Sequence, residues 1–326
     1  MKKRHSTYFA RLWRYSVGFY GVWIAHIGRQ MKLFDHLDSG PMSIEELTRS
    51  TKLYPPAVRT WCSAAQAYEL IIAKNGKLQM NKQMRRILVN KTSPDYLGGQ
   101  FSYLALRSLE YSSFEGLFRS GKTKKTLATV DAVQHATDWD HYAFLDVARR
   151  HKKLHPLLSA GCRMLDVGCG TGSMLAKIHK EYPKTSLVGV EPSARAFAMA
   201  RQIARGKHID LIKMPSESMK FANEFDIVFL GESLYTVKHK ERVLLNCWRA
   251  LKNHGTIVIM EGLLPNSKLN YAASQLIMGM QLDFALQGQM FMNKKDVVLL
   301  LKDRFSKPRF EDLGGNVFLV IATKKL

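Results

Sequence analysis

The chain has 326 residues, 46% of them hydrophobic and 10% aromatic, which is enough apolar side-chain volume for packed cores and excludes global disorder. With 49 Lys and Arg against 27 Asp and Glu the formal charge is +22; this suits an anionic partner, whether nucleic acid, acidic membrane or acidic small molecule, and equally a solvated basic surface. The cysteines Cys62, Cys162, Cys169 and Cys247 form no C-x-x-C pair and no metal-ligand spacing with the histidines, so we expect reduced thiols in a cytoplasmic protein and no structural metal.

Residues 1–4 are basic, and the apolar residues behind them are broken by Arg11 and Arg14, so neither a signal peptide nor a membrane span fits. Phe9, Leu12, Trp13, Phe19, Tyr20, Trp23, Ile24, Ile27 and Met31 recur at helical spacing over residues 6–37, and Gly18 and Gly21 are expected to break that helix in two. A basic stripe with Trp and Phe fits a membrane surface; so broad a stripe is more commonly a core or a subunit interface. Ser43-Ile44-Glu45-Glu46 is a capping box opening a helix to about Ser50, and Pro55-Pro56 opens another to about Tyr68. Asn75-Gly76 lies between two short strand patterns, a strong hairpin signal. Helix, helix and hairpin in that order make a winged helix. A basic winged helix invites a DNA-binding reading, and residues 1–91 carry 16 cations against five acids. The helix that would enter the groove nevertheless offers only Arg59 amid Val58, Trp61, Ala64 and Ala65, which suits packing on protein.

Residues 96–118 are aromatic and apolar, including Tyr103 and Tyr111. Residues 121–140 have little periodicity and read as a linker, dividing an N-terminal domain (1–120) from a second domain (141–326) whose first helix begins at Trp139, Tyr142 and Phe144.

The second domain alternates strand and helix. An apolar strand, Met164 to Val167 with Asp166 inside it, ends in Gly168-Cys169-Gly170-Thr171-Gly172-Ser173, and a helix follows. Residues without a Cβ let the backbone turn tightly against a ligand, while the free N–H groups of the next helix face an anionic group. A dinucleotide loop has the same physics, although Ser173 stands where that fingerprint wants its last glycine. The strand Leu187 to Val190 ends in Glu191-Pro192, nineteen residues after Gly172, the place for a carboxylate that accepts ribose hydroxyls. Further strands are expected at 209–213, 225–230 and 256–260, then a closing hairpin at 310–312 and 317–323 around Gly314-Gly315. The fold class is therefore α/β: a doubly wound, mostly parallel seven-stranded sheet with an antiparallel C-terminal hairpin, plus an N-terminal α-helical winged-helix domain.

The glycine loop and Glu191 together resemble the class I S-adenosylmethionine-dependent methyltransferases, and the closing hairpin is similar to that family's topology. Winged helix followed by such a core, with Leu33-Phe34-Asp35-His36-Leu37 ahead of the capping box, resembles the small-molecule O-methyltransferases of the caffeate and hydroxyindole type. The resemblance implies S-adenosyl-L-methionine as cofactor, held by Asp166, Gly168, Cys169, Gly170, Gly172, Glu191, Pro192, Ser216, Glu217, Ser218, Met219, Leu230 and Gly231. It also implies a homodimer formed through the N-terminal domain. Pro215 stands where the family carries an acid, leaving Glu217 and Ser216 to substitute, and Ser233 stands where related enzymes carry a His base. Glu232 and His239 are the remaining candidates for a catalytic group. Tyr103, Tyr111, Tyr235, Met278, Phe284 and Gln287 are candidates for the acceptor site, with flexible Met and polar Gln suiting a planar, lipid-like or anionic acceptor. Two other readings stay open: a nucleic-acid methyltransferase, suggested by the charge, and a non-catalytic regulator that binds the cofactor and uses its winged helix as a binding module.

Overall fold

The computed structural model describes residues 7–93, 95–124, 138–265 and 272–326. The expected linker at 121–140 falls largely outside them, as do residues 266–271 and the Trp139 side chain. The chain groups into two compact units, Met1–Ser112 with Thr126–Tyr142 and Ser113–Lys125 with Ala143–Leu326.

In the first unit, α1 runs unbroken from Thr7 to Gln30. The expected interruption at Gly18 and Gly21 does not occur. The cost of about 1 kcal/mol per helical glycine is met by packing: the Tyr68 ring lies 3.2 Å from where a Cβ of Gly21 would stand, and the Tyr68 hydroxyl donates to the Val17 carbonyl at 3.0 Å. The helices α2 (Leu33–Ser39), α3 (Ile44–Thr51) and α4 (Pro55–Ala67) follow. Both halves of the capping box form at α3, Glu46 N donating to Ser43 Oγ at 3.1 Å and Ser43 N to Glu46 Oε2 at 2.7 Å. Strands β1 (Ile72–Lys74) and β2 (Lys77–Gln79) pair antiparallel across Asn75 and Gly76, both at positive φ, and Met42 makes an isolated antiparallel bridge to Leu78. Val58, Trp61, Cys62 and Ala65 of α4 are buried, so this helix spends its apolar face on the core of its own unit. Beyond α5 (Lys82–Leu88), α6 (Gly98–Ser108) returns to α1, where Arg29 donates to the Gly98 carbonyl at 2.7 Å and to the Tyr96 hydroxyl at 2.8 Å.

The second unit begins with α7 (Phe114–Ser120), then the helix α8 (Asp138–Arg150) that leads into it, α9 (Leu154–Ala160), and an alternating core: β3 (Arg163–Val167), α10 (Ser173–Glu181), β4 (Ser186–Val190), α11 (Ala194–Ala204), β5 (Ile209–Ile212), β6 (Phe225–Gly231), α12 (Lys240–Ala250) and β7 (Leu251–Leu264). After α13 (Ala272–Leu286), a two-residue β8 (Met292–Asn293) and α14 (Lys294–Leu301), the chain closes with β9 (Arg309–Gly314) and β10 (Val317–Thr323). The sheet order is β5-β4-β3-β6-β7-β10-β9, parallel from β5 to β7 and antiparallel thereafter, with β8 added beside the end of β7. The order reverses between β3 and β6, and the crevice at their carboxyl ends is where such sheets bind ligands. Strand β7 is longer than the expected 256–260: Leu251 already pairs with Phe225, and a register shift next to His254, which takes a positive φ, absorbs the turn expected at His254-Gly255. The core of this unit is the apolar layer of Val167, Val190, Leu230, Leu244, Ile257 and Val320 with their neighbours.

Gly28 tests the packing of α1. A helical Gly→Ala change ordinarily gains about 0.5–1 kcal/mol, but a Cβ here would run into the Phe34 ring and stand 2.6 Å from Trp61. Gly28→Ala is expected to lose about 1–3 kcal/mol by overpacking, measured by urea denaturation; a gain would show that the helix does not lie on these rings.

Candidate active site

The site is built at the switch point from the ends of β3, β4 and β6. Parallel pairing sets Val167 beside Val190, and the chain leaves β3 by donating two successive N–H groups, from Gly168 at 2.8 Å and Cys169 at 3.0 Å, to the carbonyl of Val190. Gly168, Gly170 and Gly172 all take positive φ, 80°, 55° and 75°, a conformation that costs a residue with a Cβ about 1–2 kcal/mol. They answer different demands. A Cβ on Gly168 would stand 2.9 Å from that of Ser233, whereas the space around Gly170 is open, so the loop presents bare backbone to the crevice there. Gly189 serves the same loop from below: its missing side chain makes room for Cys169 Sγ, 2.7 Å from where its Cβ would be.

Glu191 closes the loop. Its Oε2 accepts from Gly170 N at 3.0 Å and its Oε1 from Ser193 N at 2.7 Å, and the residue is buried. Asp166, on the neighbouring strand β3 and opposite Gly189, is also buried; burial, and after it the negative charge of Glu191, push its carboxyl up to about 8. Burial thus favours the protonated form of Asp166 beneath the glycine loop, beside the Glu191 carboxylate. The four cysteines are free thiols and buried; burial pushes Cys162 up to about 11 and Cys247 to about 12, and the Cys169 thiol in the loop is raised further, so they behave as small apolar groups.

On the flank, Ser216–Ser218 form one turn of 3-10 helix. Asn246 of α12 holds it by donating to the carbonyls of Ser216 and Glu217 at 3.1 and 3.0 Å, and Ser216 Oγ donates to Glu217 Oε2 at 3.3 Å. Ser218 is exposed, while Met219 and Leu230 are buried in the apolar core, so these two face the crevice by backbone only. Pro192, next to the buried Glu191, is exposed.

At the end of β6, Glu232 takes a positive φ of 48°. Its N–H donates to the Met260 carbonyl at 2.8 Å, and its Oε1 accepts from Gly262 N at 3.1 Å. Glu261 on β7 returns the arrangement: its buried carboxylate accepts from Leu234 N at 2.5 Å and from Tyr235 N at 3.3 Å. Burial raises the Glu261 carboxyl to about 8 against the lowering pull of those N–H donors. The sequence reading passed over Glu261 and Asn246; an acid directly after a fully apolar strand was the signal for the first, and nothing in the pattern marked the second. Ser233 Oγ donates to the Val167 carbonyl at 2.8 Å, tying this turn to the end of β3. His239 is exposed at the N-cap of α12.

The acceptor candidates divide between the units. Tyr103 and Tyr111 belong to the first, where Tyr103 is buried. In the second, Tyr235 stacks on Phe284 with centroids 4.8 Å apart, and Phe291 packs on Phe284 at 4.4 Å. Gln287 donates to Asp283 at 3.2 Å, and Met278 is exposed. Among the described residues no group of three or more His, Cys, Asp or Glu is placed to hold a metal ion.

Residues 165–259 match the family described as methyltransferase domain. The ubiquinone/menaquinone biosynthesis C-methyltransferase UbiE of Desulfotalea psychrophila is 29% identical over 110 residues, 33% of this chain and 45% of that protein. The malonyl-(acyl-carrier protein) O-methyltransferase of Priestia megaterium is 20% identical over 128 residues, 38% of this chain and 47% of that one. The chain thus spans just under half the length of these curated relatives. Among solved structures, human N-acetylserotonin methyltransferase in complex with SAM superposes with a TM-score of 0.78 at 16% identity, covering 100% of both chains. The pyocyanin biosynthetic protein PhzM gives 0.72 at 17% identity, covering 98% of this chain and 100% of the other. At those identities the likeness is one of fold. Residues 165–259 are a methyltransferase domain, and the chain has the class I methyltransferase fold.

Proposed function

We propose that the chain transfers a methyl group from S-adenosyl-L-methionine to a small-molecule acceptor. The observation that carries this reading is Glu191, a buried carboxylate fastened across the glycine loop by the N–H groups of Gly170 and Ser193. The residues fit that cofactor. The Glu191 carboxylate suits the ribose hydroxyls of a nucleoside and the positive charge of its sulfonium. The open space over Gly170 lets a ligand lie on the backbone.

In this assignment Glu191 accepts the ribose hydroxyls, with Pro192 beside it. The backbone of Gly168 to Gly172 and of Leu230 to Gly231 bounds the amino-acid end, and the Ser216 to Met219 turn flanks the adenine. When bound, the cofactor supplies an already activated, electrophilic methyl group. What remains for the protein is to hold the acceptor atom about 3–3.5 Å from that carbon and to exclude water. Tyr235, Phe284 and Gln287, with Met278 nearby on α13, favour a planar acceptor. Glu232 is the acceptor-side carboxylate, aimed by its bond to Gly262 N; exposed His239 is the less suited of the two. With Ser233 engaged on the Val167 carbonyl, the acceptor is one whose own oxygen or carbon acid ionises readily. Curated relatives named for C-methylation in quinone biosynthesis and for O-methylation support both atom types.

Calorimetry with S-adenosylmethionine and its demethylated product tests the cofactor, and transfer of label from methyl-labelled cofactor to fractions of a cell extract tests the reaction. Saturable binding with label in a small-molecule fraction is expected. No binding of either nucleoside defeats the proposal, label in nucleic acid redirects it, and binding without transfer to any fraction points to a non-catalytic regulator. Gly170→Arg should weaken binding at least a hundredfold while thermal melts show a folded protein, because the strain of about 1–2 kcal/mol at positive φ is within what a domain of this size tolerates; unchanged affinity would show that the loop is not the site.

The raised Asp166 carboxyl predicts a pH dependence. The folded state holds this proton more tightly than the unfolded chain, so the stability it contributes is present at low pH and is lost as pH rises from about 4 towards 8. Asp166→Asn, which keeps the shape of the neutral acid, should therefore melt above the parent, by a margin that widens between pH 5 and pH 8. A margin independent of pH would mean that Asp166 is charged in the folded protein.

A further inference from the structure

Asn246 is buried midway along α12, a helix whose Leu244, Cys247 and Ala250 belong to the apolar core. An amide in such surroundings is unfavourable unless it is hydrogen-bonded, and both bonds donated by its Nδ2 run to one turn: to the Ser216 carbonyl at 3.1 Å and the Glu217 carbonyl at 3.0 Å. Arg242, four residues earlier and so on the same face of the helix, adds a third, its Nε donating to the Glu217 carbonyl at 3.1 Å. Within itself the turn is closed by Ser218 N donating to the Pro215 carbonyl at 2.9 Å and, more loosely, by Met219 N donating to the Ser216 carbonyl at 3.4 Å. Met219 anchors its exit in the core. The placing of Ser216 and Glu217 therefore depends on α12.

The sheet order shows what this turn meets. Strands run β5-β4-β3-β6, with the glycine loop at the end of β3 and Glu191 at the end of β4. A nucleoside gripped at its ribose by Glu191, with its amino-acid end over β3, directs its base outward to β5. Glu191 N donates to the Ile212 carbonyl at 3.2 Å, which holds the ends of β4 and β5 side by side, and the chain leaving Ile212 runs into Pro215 and the turn. A heterocyclic base is recognised by hydrogen bonds along its edge, and these weaken steeply when the partner is displaced or tilted. We propose that Asn246 is a positioning residue for base recognition: by holding the carbonyls of Ser216 and Glu217, with Arg242 in support, it sets the turn against the adenine and determines how well the site distinguishes that base from another. The inference rests on the proposed cofactor and adds to it the residue that makes the binding specific for adenine.

The test is calorimetry of the full chain with S-adenosylhomocysteine and with S-inosylhomocysteine, in which an oxo group replaces the 6-amino group of the base. The parent is expected to prefer the adenosyl compound at least tenfold, since a site that hydrogen-bonds a group rejects an analogue lacking it. Asn246→Leu, which keeps the volume and removes both bonds, should weaken binding of the adenosyl compound about tenfold and shrink the preference to about twofold. A role in stability alone would lower both affinities by one factor and leave their ratio unchanged. Where thermal melts show Asn246→Leu to be unfolded, or where it binds neither compound, Asn246→Ser carries the same expectation, its hydroxyl being too short to reach both carbonyls. The proposal is overturned if the parent binds both compounds equally, or if the variant keeps the parent's ratio. A parent that binds neither compound defeats the cofactor assignment itself, a result distinct from an unchanged ratio.

Discussion

The arrangement of the second unit depends on one carboxylate. Glu191 stands at the end of β4 and accepts N–H groups from Gly170, which follows β3, and from Ser193, which leads into α11. Two strands, a loop and a helix start are thus referred to a single side chain. A buried carboxylate needs such donors, since each hydrogen bond to a charged group is worth about 1.5–3 kcal/mol and an unpaired buried charge costs more. The loop in turn needs the carboxylate, because three glycines within five residues have more conformational freedom than any other stretch of backbone to lose on folding. Each component is unfavourable alone; together they specify a preorganised floor for the crevice.

The same logic recurs at the ends of β6 and β7, where Glu232 reaches the backbone of β7 and Glu261 reaches the backbone following β6. This reciprocal pair fixes Tyr235, whose ring meets Phe284 and Phe291. The Tyr235 side of the wall proposed for the acceptor is therefore set by hydrogen bonds from its own backbone turn to the buried Glu261. Asp166 and Glu261, both raised to about 8 by burial, show that the unit accepts the stability cost of buried acids beside the crevice, while the apolar layer between the strands carries the fold.

Much of this was legible in the chain. Period-two and period-3.6 patterns located seven strands of the main sheet, though not the two-residue β8 beside the end of β7, together with the capping box at Ser43 and the hairpin at Asn75-Gly76, because each is a local arrangement written in adjacent residues. The glycine spacing and Glu191 located the crevice for the same reason. What escaped depended on distant residues. Gly18 and Gly21 read as a break because the pattern does not reveal that Tyr68 packs against the helix at Gly21. Strand β7 read as short because the pairing of Leu251 with Phe225 is a tertiary fact. Asn246 left no trace in the sequence, since its two bonds run to the carbonyls of Ser216 and Glu217, thirty and twenty-nine residues away.

Ser233 connects these observations to the chemistry. A larger side chain at this position would meet Gly168, whose own Cβ would already stand 2.9 Å from that of Ser233, so the glycine and the serine are matched in size across the gap between β3 and β6. The hydroxyl then donates to the last carbonyl of β3 at 2.8 Å. In this chain the residue at 233 therefore works on the backbone of the glycine loop.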